Sequence, residues 1–357
     1  MTLHDLRIKS LQHILRRKRI DALFVGAIKN IRYLSGFTGS SAFMLVTRDR
    51  GLFFTDFRYQ QQSAEEVQGC EIGIEKGKRL SLVRRLVKSL GITRLGFETS
   101  LSYDFYYQLC GLHVTLAPAP NLVENLRRAK DAIEIKALTR AIERAETAFL
   151  KIKPFIRTGV RERAISLRLE EQLKREGCKH AAFDIIVASG ENSAKPHAQP
   201  TEKKIEKGDF VTVDWGGEAD GYYSDMTRTF LMAGSGLDEK IKIYGIVDKA
   251  RQKAIDKVGP GVRTGEVDRA ARDTIKKAGY GAFFGHGTGH GVGLDVHEAP
   301  RVSLTAGDRI TDGFVFTVEP GIYVPELGGV RIEDMVTLKG RKCIIMTSLG
   351  RELEIIK

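Results

Sequence analysis

The sequence predicts an α/β protein of two domains. Three observations carry that expectation. The chain has 357 residues, which at about 150 residues per domain fits two. Helix-periodic and strand-like segments alternate along it. A proline-rich break at Ala117-Pro-Ala-Pro-Asn121 separates two such series. Hydrophobic residues at 42% and charged residues at 29% belong to a folded globular chain and exclude a disordered or membrane-embedded one.

The elements follow in order. Leu3, Leu6, Leu11, Ile14 and Leu15 share one helical face that ends in the basic run Arg16-Arg-Lys-Arg19, and Ala22-Leu-Phe-Val-Gly26 is a short buried strand. Ala42 to Thr47 and Gly51 to Thr55 flank the turn Arg48-Asp-Arg50 as a hairpin. Leu82 to Leu90 and then Leu95-Gly-Phe97 repeat the helix-strand alternation. With the break at 117–121, the amino-terminal domain is expected over residues 1–125 and the second over 126–357. In the second, helical periodicity covers 131–153, 162–176, 238–258 and 265–278, each stopped by Pro154, Gly177, Gly259-Pro260 or Gly279. Strand-like runs cover 183–188, 210–215, 222–231, 314–318, 330–338 and 343–347.

Charge and cysteine usage narrow the function classes. Lys and Arg number 57 against 45 Asp and Glu, a net charge of +12, but the excess is spread along the chain. The one dense run, Arg16 to Arg19, reads as the solvated end of a helix, so no nucleic-acid partner is expected. Cys70, Cys110, Cys178 and Cys343 form no Cys-x-x-Cys pair, which argues against a zinc ribbon or a redox dithiol. Met1 to Arg19 lacks the apolar core of a signal peptide, and no run approaches the roughly 18 apolar residues of a membrane helix. These features point to a cytoplasmic protein that engages no membrane.

The chemistry is concentrated in the second domain. Gly208-Asp-Phe-Val-Thr-Val-Asp214-Trp-Gly216 and Gly313-Phe-Val-Phe-Thr-Val-Glu319-Pro-Gly321 both end in Thr-Val-carboxylate-x-Gly. Each is followed by a second acid, Asp225 in Ser-Asp-Met-Thr and Glu333 in Glu-Asp-Met-Val. Either pair alone reads as ordinary strand ends with solvated acids; two related halves would bring four carboxylates to one centre. An acid at the end of an apolar strand is costly to bury unless it is paired or binds a cation. Strand alternation puts Asp225, Thr227 and Thr229 on one face and Arg228 on the other. The segment Phe284-Gly-His-Gly-Thr-Gly-His-Gly-Val-Gly-Leu-Asp-Val-His-Glu298 adds His286, His290 and His297 among alternating glycines, and fits neither phosphate-loop pattern. Carboxylates with imidazole suit divalent ions, and a pair of such ions supports metal-assisted hydrolysis.

Asp214, Asp225, His290, Glu319 and Glu333, in this order and spacing, resemble the five-ligand site of the pita-bread metallopeptidases, the family of methionine aminopeptidase, aminopeptidase P and prolidase. Asn30-Ile-Arg-Tyr-Leu-Ser-Gly-Phe-Thr-Gly39 and Thr55-Asp-Phe-Arg-Tyr59 resemble the creatinase-type amino-terminal domain of the proline-specific branch, and Arg331-Ile-Glu333-Asp334 resembles its last ligand motif. The resemblance implies a creatinase-type α/β domain followed by a pita-bread α/β catalytic domain with a curved antiparallel sheet. It also implies two divalent ions, Mn2+ foremost with Co2+ or Zn2+ as alternatives, and a homodimer.

Residue by residue, the resemblance implies that Asp214 chelates one metal, Asp225 and Glu333 bridge, and His290 with Glu319 holds the other. Glu319 would also handle the proton, and His297 would stabilise the tetrahedral intermediate. His197, in Lys195-Pro-His-Ala198, matches a substrate-contacting histidine, and His286 would line the pocket for a proline ring. Tyr323 and Arg331 match positions that support the ligands and border the substrate. The implied substrates are peptides with proline in second position, whose tertiary amide has no N–H for an ordinary peptidase to grip. The amino-terminal phrases favour an Xaa-Pro aminopeptidase; Arg301, where some prolidases have a carboxylate-binding arginine, supports the alternative, an Xaa-Pro dipeptidase. Metal-free creatinase-like hydrolysis or a non-catalytic scaffold would predict gaps among the five ligand positions, and all five are filled.

Overall fold

The computed structural model describes residues 2–357. They divide into two compact units, the first ending at Arg127 and the second running Arg128–Lys357. Among the described residues no helix is long and apolar enough to cross a membrane.

The first unit contains helices α1 (Leu3–Lys18), α2 (Ile28–Ser35), α3 (Gln60–Glu66), α4 (Arg79–Ser89), α5 (Tyr103–Cys110) and α6 (Leu122–Arg127). Its strands are β1 (Ala22–Val25), β2 (Ala42–Thr47), β3 (Gly51–Thr55), β4 (Glu71–Ile74), β5 (Arg94–Phe97) and β6 (Thr115–Pro118), in the sheet order β4-β3-β2-β1-β5-β6. A capping box between Thr2 and Asp5 starts α1, and Arg16, Arg17 and Lys18 fill its last turn, where cations complement the helix dipole. β2 and β3 form the expected hairpin. On one face of the sheet, Phe24, Phe43 and Phe54 stack with ring centroids 5.4 and 5.0 Å apart.

The proline-rich segment differs from expectation. Thr115–Pro118 is a strand, parallel to Arg94–Phe97, rather than an irregular break. It lies at the sheet edge, where the N–H that proline lacks has no ladder partner to serve.

A buried polar cluster ties α2, β5 and α6 together. Asn30 donates from Nδ2 to Glu98 Oε1 (2.7 Å) and Glu124 Oε1 (2.8 Å), and its Oδ1 accepts from Arg127 Nη1 (2.8 Å). Glu98 Oε2 accepts the N–H groups of Gly26 and Ala27, each at 2.8 Å, at the amino end of α2. Burial pushes the Glu98 carboxyl above its usual range. Replacing Asn30 by alanine removes the group shared by two carboxylates and a guanidinium, and should destabilise this unit by about 2 kcal/mol. Urea unfolding of the full chain followed by far-UV circular dichroism tests this; an unchanged transition would show that the cluster contributes no stability.

The second unit begins with the long helices α7 (Ala132–Ile152) and α8 (Glu162–Arg175). Asp131 and Glu134 form a capping box on α7, and Pro154 falls in the 3-10 turn that ends it. The buried face of α7 is rich in alanine (Ala137, Ala141, Ala145, Ala148), so Trp215 packs close: its ring stacks on Phe149 at 4.2 Å and its Nε1 donates to the Ala145 carbonyl at 3.0 Å. Then follow β7 (Ile186–Ser189), β8 (Phe210–Trp215), β9 (Glu218–Ala219), β10 (Tyr222–Tyr223), β11 (Met226–Met232), α9 (Asp238–Lys257) and α10 (Thr264–Lys277). The last stretch holds β12 (Gly289–Gly291), β13 (Glu298–Val302), β14 (Val315–Val318), β15 (Gly321–Val324), β16 (Gly328–Arg331), β17 (Asp334–Lys339), β18 (Lys342–Ile345) and β19 (Ile355–Ile356). Two sheets result, ordered β19-β11-β8-β7 and β13-β12-β14-β17-β18, with hairpins β9/β10 and β15/β16 beside them.

The internal echo in the sequence is an echo in structure. β8 ends at Asp214-Trp215 and pairs antiparallel with β11, which starts immediately after Asp225. β14 ends just before Glu319 and pairs antiparallel with β17, which starts immediately after Glu333. Antiparallel pairing sets the end of one strand beside the start of the next, so each half delivers two acids to one end of a strand pair. The runs 222–231 and 330–338, expected to be continuous, are interrupted at Ser224-Asp225 and Ile332-Glu333, where two of these acids leave the ladders.

Candidate metal centre

Asp225 Oδ2, His290 and Glu333 offer ligand atoms that all lie within 4.8 Å of one another. His290 Nε2 is 3.5 Å from Asp225 Oδ2 and 3.3 Å from Glu319 Oε1. Asp214 is linked to the same group by Arg331, whose Nη2 donates to Asp214 Oδ2 at 2.6 Å and whose Nε donates to Thr227 Oγ1 at 3.1 Å. Thr227 in turn donates to Glu333 Oε2 at 2.7 Å. Of the five residues proposed as ligands from the sequence, Asp225, His290 and Glu333 form one group, Glu319 lies against His290, and Asp214 is linked to them through Arg331 and Thr227.

The electrostatics of this group are unfavourable without a cation. Burial, then Glu333, Asp214 and Glu319, pushes the Asp225 carboxyl well above the usual range. Burial, then Glu319 and Asp214, does the same to Glu333, and burial raises Glu319. The ring of His290 is driven toward its neutral form by burial. Asp214 Oδ1 is buried with no hydrogen-bond partner, while Oδ2 is held by Arg331. Converging acids, a neutral imidazole and an oxygen without a donor fit divalent cations, for which each carboxylate must be ionised and the histidine unprotonated.

Local sequence explains how the histidine reaches this place. A Cβ on Gly289 would overlap the Thr317 carbonyl, and one on Gly291 would overlap the Ala299 carbonyl, so β12 fits between its neighbours only as Gly-His-Gly. The His290 N–H donates to Thr317 Oγ1 (3.1 Å), and that hydroxyl donates to Glu319 Oε1 (3.1 Å).

The other residues singled out from the sequence divide into two groups. His286, Tyr323 and Arg331 form a directed chain. Arg331 Nη1 donates to the Tyr323 hydroxyl (2.9 Å), which donates to His286 Nε2 (2.9 Å), and His286 Nδ1 donates to the Gly287 carbonyl (2.7 Å). Arginine only donates and a carbonyl only accepts, so this order sets His286 as the neutral Nδ1–H tautomer, in accord with burial lowering its pKa. The His297 ring lies 4.2 Å from that of His290. His197 and Arg301 are exposed: the first sits on a loop whose Pro196 carbonyl accepts from Arg331 Nη1 (3.3 Å), the second stands opposite His290 in the β12–β13 ladder.

Sequence reasoning missed the supports. Asp268 is completely buried on α10 and accepts the Thr288 N–H (3.0 Å) and hydroxyl (2.8 Å), while its i+4 partner Arg272 donates to the carbonyls of Phe284 (3.0 Å) and His286 (2.7 Å). An Asp and an Arg four apart on an amphipathic helix carry the signal of an ordinary surface ion pair, and nothing in the sequence marks this one as gripping the glycine-rich loop.

A buried carboxylate centre at the ends of two antiparallel strand pairs defines the class, a metal-dependent hydrolase. Residues 136–339 match the model of Metallopeptidase family M24, and residues 7–129 match that of the Creatinase/Prolidase N-terminal domain. The chain belongs to the M24 metallopeptidases of the pita-bread type, with a creatinase-type amino-terminal domain. It is 39% identical to the Xaa-Pro dipeptidase from Bacillus anthracis, with a TM-score of 0.96 over 99% of this chain and 100% of that one. It is 35% identical to the X-Pro aminopeptidase from Thermotoga maritima, with a TM-score of 0.88 over 96% and 100% of the two chains. A curated Xaa-Pro dipeptidase of Pyrococcus horikoshii is 34% identical over 357 residues, covering 99% of this chain and 100% of the relative.

Two outcomes test the centre. Stripping the protein with a chelator should lower its melting temperature, and a divalent ion at about 100 times its Kd should restore about 2.7 kcal/mol. Calorimetry with Mn2+, Co2+ and Zn2+ checks this, and no shift with any of the three would overturn the site. Gly289→Ala should abolish that metal-dependent gain by displacing β12; a variant with the wild-type gain would show that the close approach to Thr317 is dispensable.

Proposed function

We propose that the chain is a metal-dependent Xaa-Pro dipeptidase, releasing an amino-terminal residue from a following proline. The sequence alone leans toward an aminopeptidase; the Xaa-Pro dipeptidase names of the Bacillus anthracis and Pyrococcus horikoshii relatives favour the dipeptidase. The observation that carries this reading is the register of β13. Arg301 is the direct cross-strand partner of His290 and is exposed, and directly opposed residues share a face with Cβ atoms about 5 Å apart. A guanidinium on the ligand face of the strand suits a carboxylate one residue beyond the scissile bond, as in a dipeptide.

In this reading Asp214, Asp225, His290, Glu319 and Glu333 hold two divalent ions, Mn2+ by expectation. When bound, such ions lower the pKa of a water and polarise the scissile carbonyl. The carboxylate of Glu319 accepts the proton of the attacking water as its oxygen adds to the carbonyl carbon. The same proton passes to the proline nitrogen as the C–N bond breaks, leaving a free amino acid and proline. His297, beside His290, donates toward the oxygen that gains charge, and His197 contacts the substrate near that carbonyl. His286 keeps Nδ1–H on the Gly287 carbonyl and its Nε2 on Tyr323, so its ring acts as an apolar wall for the proline ring rather than as a donor. Arg331 and Tyr323 fix Asp214 and His286 in place.

The second reading, an aminopeptidase that accepts longer peptides, is favoured by the Thermotoga maritima relative. Steady-state rates of the metal-loaded protein on Ala-Pro and Ala-Pro-Ala separate the two. The dipeptide should be the faster substrate, and efficient cleavage of the tripeptide with little of the dipeptide overturns the dipeptidase. Arg301→Ala should raise KM for Ala-Pro about tenfold or more with a smaller change in kcat, because a charge-assisted bond made in both ground and transition states is lost. An unchanged KM would remove Arg301 from the site.

A further inference from the structure

Residues 190–200, the first part of the connection between β7 and β8, form a loop that carries His197 and is fixed at two places. Its front rests on β16: the Gly329 N–H donates to Ser193 Oγ (2.8 Å), a Cβ on Gly329 would overlap the Ser193 carbonyl, and the Pro196 carbonyl accepts from Arg331 (3.3 Å). Its two ends meet at one side chain, Glu162, the first residue of α8 and completely buried. Glu162 Oε1 accepts the Ser189 N–H (2.6 Å), the Ser189 hydroxyl (2.8 Å) and the Asn192 amide (3.2 Å). Oε2 accepts the Thr201 N–H (3.0 Å), the Thr201 hydroxyl (2.6 Å) and the same Asn192 amide (3.2 Å).

Ser189 ends β7 and Thr201 follows the loop, so one carboxylate spans its entry and its exit. Bonds to an ionised acceptor are roughly twice as strong as neutral ones, and the start of a helix favours the negative charge. Moving the loop would break the bonds of the two buried Ser189 donors, each at a cost of about 1 to 3 kcal/mol, together with the part-buried ones from Asn192 and Thr201. The segment is thereby built before any substrate arrives.

We propose that Glu162 is a positioning residue for the reaction: through the loop 190–200 it presets His197 and the Pro196 carbonyl against the centre. The inference rests on the reading of His197 as a substrate contact. Glu162 itself touches neither substrate nor metal; it acts through the loop.

Glu162→Gln tests it, because the amide keeps the length but turns one acceptor into a donor facing donors. Hydrogen exchange of the full-length, Mn2+-loaded protein should accelerate over residues 190–201, with Mn2+ affinity held within about twofold and kcat/KM on Ala-Pro lowered about 10- to 100-fold, the scale of a misplacement near 1 Å. The loss should be non-additive with His197→Ala, since both act through one contact. Thr201→Val, which removes one donor to Glu162 along with the acceptor of the Asn192 amide and the Lys203 N–H, keeps the carboxylate, should give a smaller change of the same kind and covers the case in which the glutamine variant fails to fold. Unchanged exchange in the loop, or losses that simply multiply in the double variant, would overturn the proposal. If the wild-type protein cleaves no Xaa-Pro peptide, the functional reading fails by itself, while loop exchange still reports whether Glu162 holds the segment.

Discussion

Four carboxylates gathered near one largely buried site, Asp225 and Glu333 buried and Asp214 and Glu319 partly so, are the constraint around which the second unit is organised. Left alone they repel, and burial adds to the penalty, which is why Asp225, Glu319 and Glu333 are all displaced toward protonation. The surrounding donors offset this only in part, and do so selectively. Thr227 serves Glu333, Thr317 serves Glu319, and Arg331 serves one oxygen of Asp214. Oδ1 of Asp214 is left without a donor, and the His290 imidazole presents Nε2 to the acids. Donors thus hold one oxygen each of Glu333, Glu319 and Asp214, and the oxygens left over suit a cation.

Backbone geometry converts that demand into a fold. Two antiparallel pairs, β8 with β11 and β14 with β17, each put a strand end and a strand start side by side, so four acids far apart in sequence become neighbours. A continuous ladder through Asp225 or Glu333 would tie their backbones into regular pairing and dictate the side-chain direction. Breaking the strands there frees each acid to turn inward, while Glu333 N–H still bonds the Thr227 carbonyl at 3.2 Å and keeps the two halves in step.

Much of this was legible in the sequence because it is local. The repeated Thr-Val-carboxylate-x-Gly phrase, the alternation of Thr227 and Thr229 against Arg228, and the glycines around His290 each encode their geometry within a few residues. The helices of the second unit were equally readable from periodicity and their stop signals. What stayed hidden is non-local. Asp268 and Arg272 look like a helix-surface pair until their partners in the 284–288 loop are known, and Glu162 looks like an ordinary first-turn acid until Ser189 and Thr201 come to it from 27 and 39 residues away. β6 was obscured for a different reason: Pro118 and, just beyond it, Pro120 mask a strand whose edge position makes Pro118 harmless.

Strand alternation also explains how the centre is backed. Thr227 and Glu333 face the metal side and meet through a 2.7 Å bond; their next neighbours, Arg228 and Asp334, point the opposite way and meet at 2.9 Å. Two adjacent dipeptides therefore form a front clamp and a rear clamp across the same strand junction. The rear acid also takes Arg251 and Arg351, each at 2.8 Å, so one carboxylate faces three guanidinium groups. The surplus positive charge is spread onto backbone carbonyls: Arg228 donates to those of Leu349 and Gly350, and Arg351 to that of Thr347. The chain end is thereby drawn against the back of the ligand strands. Acidic in front, the junction is charge-paired behind: Asp334 takes all three guanidinium groups, and Arg251 also pairs with Asp248 at 2.7 Å. The guanidinium that opposes the mutual repulsion of the acids is Arg331, which favours the charged forms of Asp225, Glu319 and Glu333, while the rear arginines hold Asp334 ionised.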